Sequence, residues 1–339
     1  MCPARVAALG AACSIALGWA FMASNRKGAG VLMRIAVIGA GSIGRRHFDN
    51  LVSLGIDAVA LPYREYAPNM LDGCDAVVIA SATNVRLGPI ADAAARDLPM
   101  YIEKPLAFRP DDLAEIALLT AKVADRSMVG LMMRYHPAFL RLSQMDMSGA
   151  LRFSFDIGHD VTQWRQNWSF SDSYAAKAEG GGVLLDLCHE LDMASVLFPD
   201  LKIERVTSIG HQAYPGVDFS SRLSVTTPTG ASGSIGMDYL TPQLHRRAVI
   251  YGVDAIYDFD FVAQRYEVKD AAGHRLIDCP MERNMMFVGI TRDWLALLRG
   301  QPTLNPLVPR LDHVGNSTGL TAAAWGARVF QGQITKDIQ

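Results

Sequence analysis

The sequence of 339 residues is poor in cysteine, in aromatic residues and in net charge, and each scarcity excludes a class of protein. The five cysteines lie far apart without a C-x-x-C pair, which indicates neither a disulfide framework nor a zinc site. Basic and acidic residues nearly balance, 32 against 34, so no overall field favours nucleic acid. Aromatic residues make up 8% and do not alternate with basic runs. We therefore expect no nucleic-acid partner, no bound metal and a reducing, cytoplasmic compartment.

One long apolar stretch stands apart, at residues 6–23, and Arg26 and Lys27 follow it. It is compatible with a membrane anchor of marginal length, or with a signal peptide that has few basic residues at its start. A third interpretation, which we favour, is sequence in front of a wrongly assigned start, because Met33 directly precedes the first predicted strand. We exclude residues 1–32 from the predicted fold and expect membrane association only if residues 6–23 are retained.

A glycine-rich turn follows the first apolar run of the remaining chain. The run ends at Ile38 and continues as Gly39-x-Gly41-x-x-Gly44, the order of strand, turn and helix that cradles a dinucleotide. Gly39 permits the turn, Gly41 allows the pyrophosphate to approach the backbone, and Gly44 permits close packing of the helix on the strand. The alternative is a structural turn without a ligand. The expected coenzyme contacts at this turn are Gly39, Gly41, Ser42, Ile43 and Gly44.

The next predicted strand ends before Arg64 and Glu65, where a Rossmann fold meets the adenine ribose. An acidic residue at this place binds a free 2′-hydroxyl, and an arginine suits a 2′-phosphate. Arg64 therefore favours NADP over NAD, although Glu65 weakens this preference. The alternative is that both residues form an exposed ion pair in a loop.

The remaining sequence has two halves with different patterns. Residues 33–132 alternate short apolar runs with helical segments, which predicts a Rossmann domain with a doubly wound parallel sheet. Residues 133–330 contain closely spaced strands separated by turn-rich intervals, which favours antiparallel pairing. We expect an α+β domain with an open, mostly antiparallel sheet, one face of which is covered by helices that include residues 283–299 and 315–330. Its open face favours a homo-oligomer.

Four segments together carry a resemblance: residues 36–47 (AVIGAGSIGRRH), 101–106 (YIEKPL), 130–137 (GLMMRYHP) and 180–192 (GGGVLLDLCHELD). They resemble the Gfo/Idh/MocA family of oxidoreductases over about residues 33–330. This resemblance implies an NAD(P)-dependent dehydrogenase with an N-terminal Rossmann domain and a C-terminal α/β domain. It also implies a sugar, cyclitol or sugar derivative as substrate. Residues 159–192 are similar to members that act in surface-polysaccharide pathways, which is an analogy at the level of the fold.

The resemblance implies that Lys104 and His189 form the acid–base pair of the reaction. The imidazole is the candidate general base because its ordinary pKa lies near neutrality, and the ammonium would stabilise a developing alkoxide. Asp186 is a third catalytic candidate, although it lies three residues before His189 where some members have four. The alternative for Asp186 is a helix N-cap. Further coenzyme contacts are expected at Ser81, Thr83, Glu103 and Lys104.

Expected substrate contacts follow the last Rossmann strand and lie in the second half of the chain: Arg134, His136, Trp164, Arg165 and Tyr174. The first two have the alternative of joining the two domains, and the aromatic residues have the alternative of packing in the core. Two other functions remain open on this fold. One is a non-catalytic NAD(P)-binding sensor, and the other is a hydrolase or dehydratase that recycles a bound coenzyme.

Overall fold

The computed structural model describes residues 33–164 and 169–338. The predictions for residues 1–32 and for Arg165 lie outside the described residues. Within the described ranges, every helix is too short or too polar to cross a lipid bilayer.

A five-stranded parallel sheet forms the N-terminal half, in the order β2-β1-β3-β4-β5. Its strands are continuous apolar runs, and alternate residues of each strand pack into two different core clusters, as a sheet covered on both faces requires. The strands are β1 (Arg34–Ile38), β2 (Asp57–Leu61), β3 (Ala76–Ile79), β4 (Met100–Ile102) and β5 (Met128–Val129), and the connecting helices are α1 (Ser42–Ser53), α2 (Leu87–Ala94) and α3 (Pro110–Thr120). The predicted Rossmann fold is confirmed.

A nine-stranded mixed sheet forms the C-terminal half, in the order β13-β12-β11-β10-β6-β9-β8-β7-β14. Only the pairs β6–β9 and β7–β14 are parallel among these strands, so the sheet is mostly antiparallel as predicted. The strands are β6 (Ala150–Gly158), β7 (Lys202–His211), β8 (Tyr214–Thr226), β9 (Ser232–Asp238), β10 (His245–Gly252), β11 (Ala255–Asp260), β12 (Arg265–Asp270), β13 (Gly273–Asp278) and β14 (Arg328–Ile334).

Helices cover one face of this sheet and leave the other open. On β6, Phe153 and Phe155 point into the core, whereas Arg152, Ser154 and Asp156 alternate with them and remain at least partly exposed. The helices of this half are α4 (Pro137–Leu142), α5 (Val183–Asp186), α6 (His189–Leu197), α7 (Arg283–Leu298) and α8 (Gly315–Gly326). Helices α5, α6 and α8 pack on the sheet, and α7 packs on α1 of the other half.

The structure differs from the expectations in three places. The helix expected over 315–330 ends at Gly326, and Arg328–Ile334 forms β14 instead, because the exposed edge of β7 offers it a parallel partner. At the end of the region 33–132, where alternating strands and helices were predicted, β5 ends at Val129 and residues 132–135 form a short 3-10 helix. Strand β13 was not expected, because its sequence lacks a continuous apolar run and its pairing with β12 supplies the missing support.

Candidate active site

The glycine turn between β1 and α1 has the geometry that a dinucleotide site requires. Gly39 has φ of +111°, and a Cβ at this residue would lie 2.7 Å from the Ala80 carbonyl oxygen. A Cβ at Gly44 would lie 1.8 Å from the Gly39 carbonyl oxygen, so only glycine fits there. A Cβ at Gly41 would meet nothing within 4 Å, which leaves open space beside the exposed start of α1. The turn thus fits a pyrophosphate that approaches the helix N-terminus.

The other predicted coenzyme residues surround this turn in different environments. Ser42 is exposed and Ile43 half-buried in the first turn of α1, and Arg64 is exposed just after β2. Among the described residues, Arg64 forms no ion pair with Glu65, so that alternative is not observed. Ser81 and Thr83 follow β3 and are buried; the Ser81 hydroxyl has no hydrogen-bond partner within the described ranges.

Lys104 lies at the carboxyl end of β4, where parallel sheets bind their ligands. Its ammonium donates to the backbone carbonyl oxygen of Asp186 at 2.6 Å and lies 3.8 Å from the Asp186 Oδ1. The structure therefore brings Lys104 of the first half next to Asp186 of the second half. The preceding Glu103 accepts from the Lys104 N–H through one carboxylate oxygen, at 3.2 Å, and its other oxygen contacts His47.

The sequence analysis missed Arg86, which holds the backbone around Lys104. This buried guanidinium donates to the carbonyl oxygens of Ser81 at 2.7 Å, of Glu103 at 2.5 Å and of Pro105. Burial lowers the pKa of Arg86 to about 10, which still leaves it charged at neutral pH. A single arginine between the apolar Val85 and Leu87 was the only signal in the sequence.

Asp186 is the last residue of α5, so the alternative of a helix N-cap is wrong. Only Leu187 and Cys188 separate Asp186 from α6, which begins at His189. The carboxylate of Asp186 accepts hydrogen bonds from two phenols: Tyr239 donates to Oδ2 at 2.9 Å, and Tyr174 donates to Oδ1. Tyr239 was not expected in the site, because it reaches Asp186 only through the pairing of distant segments.

His189 is the first residue of α6 and is buried, with 7% of its surface exposed. Its Nδ1 has no hydrogen-bond partner among the described residues. Burial holds the pKa of this imidazole well below its ordinary value, and the positive charges of Lys104, Arg246 and Arg283 lower it further. The imidazole is therefore neutral at physiological pH, which is the form that accepts a proton. Lys104 is one of the charges that lower this pKa, and the pairing of Lys104 with His189 in the reaction stays a prediction.

Cys188, between Asp186 and His189 in the sequence, is buried, and burial raises the pKa of its thiol to about 12. The thiol remains protonated at neutral pH and does not act as a nucleophile. Within the described residues, no group of three His, Cys, Asp or Glu side chains has the arrangement of a metal site.

Arg134 and His136 make contacts within the protein. The Arg134 guanidinium donates to Asp192 of α6, with 2.7 Å between Nη2 and Oδ1, and both side chains are buried. The His136 Nδ1 accepts the N–H of Ala138 at the start of α4, and burial lowers the pKa of His136 to about 3. Both contacts lie within residues 133–330, so they do not show the alternative in which these residues join the two domains. Their contact with substrate stays a prediction.

Two of the predicted aromatic residues are connected to Asp186, Tyr174 directly and Trp164 through the ring of Tyr239. Tyr174 is 40% exposed and donates to its carboxylate. Trp164 packs edge-on against Tyr239, with 5.5 Å between ring centroids, and lies 6.1 Å from the ring of His159. An aromatic wall of this kind suits the apolar face of a sugar ring.

Comparisons with known proteins agree with this architecture. Residues 154–258 match the model of the GFO/IDH/MocA C-terminal domain. The solved structure of KijD10, a 3-ketoreductase from Actinomadura kijaniata in complex with NADP and TDP-benzene, superimposes with a TM-score of 0.73 over 90% of this chain and 100% of that chain. The identity is 15%, so this likeness concerns the fold alone.

The chain is therefore similar to the Gfo/Idh/MocA family over part of its C-terminal half. It is also similar to two curated proteins. Inositol 2-dehydrogenase of Acidothermus cellulolyticus is 29% identical over 218 residues, which are 57% of this chain and 62% of the relative. The rhizopine catabolism protein MocA of Rhizobium meliloti is 26% identical over 181 residues, which are 47% of this chain and 55% of the relative. The chain thus spans somewhat more than half the length of these two Gfo/Idh/MocA relatives.

Proposed function

We propose that this protein is an NADP-dependent oxidoreductase. It would transfer a hydride between the nicotinamide and a hydroxyl or ketone carbon of a sugar, a cyclitol or a related derivative. The observation that carries the proposal is the contact of Lys104, from the N-terminal half, with Asp186 of the C-terminal half, close in the sequence to the buried His189. A glycine turn suited to a pyrophosphate lies in the same parallel sheet, whose carboxyl edge also bears Lys104.

The chemistry divides between the coenzyme and the side chains. The bound coenzyme would supply the hydride acceptor or donor. In the direction of oxidation, the substrate hydroxyl would give its proton to the neutral imidazole of His189. An ammonium has three N–H donors, and Lys104 uses one of them on the Asp186 carbonyl, which leaves others to stabilise negative charge on the substrate oxygen. Asp186, held by Tyr174 and Tyr239, would keep the ammonium in place.

The choice of NADP rests on Arg64. Its side chain is exposed at the end of β2 and is not paired with Glu65 among the described residues, so it is available to a 2′-phosphate. The matched structure of KijD10 contains NADP, which is compatible with this choice.

The substrate class rests on the aromatic wall of Trp164 and Tyr174 and on the relatives, whose names describe an inositol dehydrogenase and a 3-ketoreductase. A role in surface-polysaccharide sugar metabolism extends the proposal by analogy. We also propose a Rossmann domain over residues 33–132, a substrate domain over 133–330, a cytoplasmic location and a homo-oligomer formed through the open sheet face.

Thermal unfolding with NAD, NADH, NADP and NADPH tests the coenzyme first. The preferred coenzyme should raise the melting temperature most, because a ligand that binds only the folded state stabilises it by mass action. A panel of sugars, cyclitols and nucleotide sugars then identifies turnover by the absorbance of the reduced nicotinamide. No shift with any coenzyme would refute the proposal.

Variants separate the remaining functions. Lys104→Ala and His189→Ala should retain coenzyme binding and lose turnover by a factor on the order of 100 or more. Binding without turnover in the unaltered protein would indicate a sensor. Product formation without net change in the reduced coenzyme would indicate a hydrolase or dehydratase that recycles it. Near-normal turnover in both variants would eliminate the proposed mechanism.

A further inference from the structure

A buried hydrogen-bonded pair of side chains joins α1 to the end of β4, and neither the glycine turn nor the proton transfer described above uses it. His47 Nε2 and Glu103 Oε1 lie 2.7 Å apart, and the two side chains are 2% and 6% exposed. The second oxygen of Glu103 accepts the backbone N–H of Lys104 at 3.2 Å. One carboxylate therefore contacts both the helix of the coenzyme turn and the backbone of the proposed proton carrier.

This carboxylate packs closely against the backbone of Gly130. A Cβ at Gly130 would lie 2.9 Å from Glu103 Oε1, so the side chain packs against a bare backbone. Burial opposes ionisation of Glu103, but the hydrogen bond and charge of His47, together with Lys104 and Arg86, hold its pKa below the ordinary value. A buried carboxylate that is charged and fully bonded is stable only in a fixed geometry.

Aromatic rings from two elements pack against the imidazole of His47. The His47 ring contacts Tyr101 on β4 at 4.7 Å between centroids and Phe287 on α7 at 6.0 Å. His47 also lies on α1, whose first turn fits the coenzyme phosphates. The position of α1 relative to β4 is therefore set partly through this one ring.

We propose that His47 and Glu103 are positioning residues that fix Lys104 relative to the helix that binds the coenzyme phosphates. This inference rests on the proposed function of Lys104. Arg86 fixes the carbonyl groups on both sides of Lys104, and the pair adds the connection to α1 that Arg86 lacks. A proton carrier displaced by about 1 Å loses on the order of 100-fold in rate while the binding sites persist.

The principal variant is His47→Leu, which removes the ring nitrogens and keeps an apolar side chain. His47→Gln is the conservative variant, because its amide can still donate to Glu103. Tyr135→Phe is the matched control: it removes a buried donor to another buried carboxylate, that of Asp293, at 2.8 Å. Asp293 keeps two backbone N–H donors, from Leu304 and Asn305, so the control should fold.

Three measurements are made on each protein: the Kd of NADPH by fluorescence, kcat with the substrate found in the panel, and a crystal structure. We expect His47→Leu to lower kcat by roughly 10- to 100-fold, to change the Kd of NADPH by less than about threefold, and to move the Lys104 ammonium from the Asp186 carbonyl. His47→Gln should recover most of kcat, and Tyr135→Phe should leave all three measurements unchanged.

The crystal structure makes the inference testable apart from the activity. If the Lys104 ammonium of His47→Leu stays within hydrogen-bond distance of Asp186, or if kcat is unchanged, the positioning role is refuted while the proposed function stands. An equal loss in Tyr135→Phe would show a general effect of packing and would also refute it. If His47→Leu does not fold, Glu103→Gln replaces it, since this change removes the charge and preserves the size. Absence of turnover in the unaltered protein refutes the proposed function instead, and the displacement of Lys104 is then decided by the crystal structures.

Discussion

Replacement of Arg86 by methionine should destabilise the protein far more than the loss of a surface charge would, because this buried side chain binds the backbone of three residues. The guanidinium is buried and donates to three carbonyl oxygens, those of Ser81, Glu103 and Pro105. Each hydrogen bond from a charged group contributes about 1.5–3 kcal/mol. Removal of the buried cation also relieves its desolvation, but it leaves the Glu103 carboxylate with one positive neighbour fewer. Removal of one member of such a buried set costs a net 3–5 kcal/mol, roughly.

Urea unfolding followed by circular dichroism measures this cost. A loss of about 3 kcal/mol should move the midpoint of the transition by roughly 1–3 M at the slopes usual for proteins. Arg96→Met is the control, because Arg96 pairs with the exposed Asp72 at 2.9 Å and such surface pairs contribute at most about 1 kcal/mol. If Arg86→Met loses no more stability than Arg96→Met, the reasoning about the three carbonyl groups is wrong.

Two further predictions concern the glycine turn and a buried histidine. Gly44→Ala should lower the free energy of unfolding by roughly 1–3 kcal/mol and abolish stabilisation by NADP, since its Cβ would lie 1.8 Å from the Gly39 carbonyl oxygen. Gly41→Ala, whose Cβ meets nothing within 4 Å, should fold normally and bind NADP weakly. Thermal unfolding with and without NADP tests both variants, and a full shift of the melting temperature by NADP in Gly44→Ala would contradict the prediction. Because burial lowers the pKa of His136 to about 3 from 6.5, the unfolded chain binds a proton in that pH window that the folded chain does not. The free energy of unfolding should therefore fall as the pH falls from 6.5 towards 3, by up to about 1.4 kcal/mol per pH unit. His136→Asn, which retains an acceptor for the Ala138 N–H, should show a flatter dependence in urea titrations across this range, and identical slopes would disprove the assignment.

The parts of the fold that were predictable are those encoded by neighbouring residues. The turn from β1 to α1 depends on steric limits at Gly39 and Gly44, which are visible in the sequence because only glycine satisfies them. The buried strands β1 and β3 are recognisable in the sequence as apolar runs. The end of α8 was wrong because the choice between helix and strand at Val329 depends on β7, a partner more than a hundred residues earlier in the chain.

The candidate site shows the same division between local and distant information. Lys104 and His189 were named from motifs. The structure places Lys104 against Asp186, and the pairing of Lys104 with His189 stays a prediction. Arg86, His47 and Tyr239 were not named, because each acts through a partner that the chain reaches only after folding. No periodicity or spacing in the sequence distinguishes a buried arginine that binds three carbonyl groups from an arginine at the surface.

The C-terminal segment, which includes β14, contacts both the edge of the larger sheet and the loop that leads to Trp164. Strand β14 occupies the outer edge of β7. Beyond it, the Lys336 carbonyl oxygen accepts a hydrogen bond from His211 Nε2 at 2.6 Å, and the Lys336 ammonium lies 3.5 Å from Asp160. Asp160 begins the short turn that leads to Trp164. Removal of the chain from β14 onwards would therefore have two effects. It would expose the edge of β7 to pairing with strands of other molecules, which favours aggregation. It would also remove the contact of Lys336 with Asp160, which lies at the start of the turn that leads to Trp164.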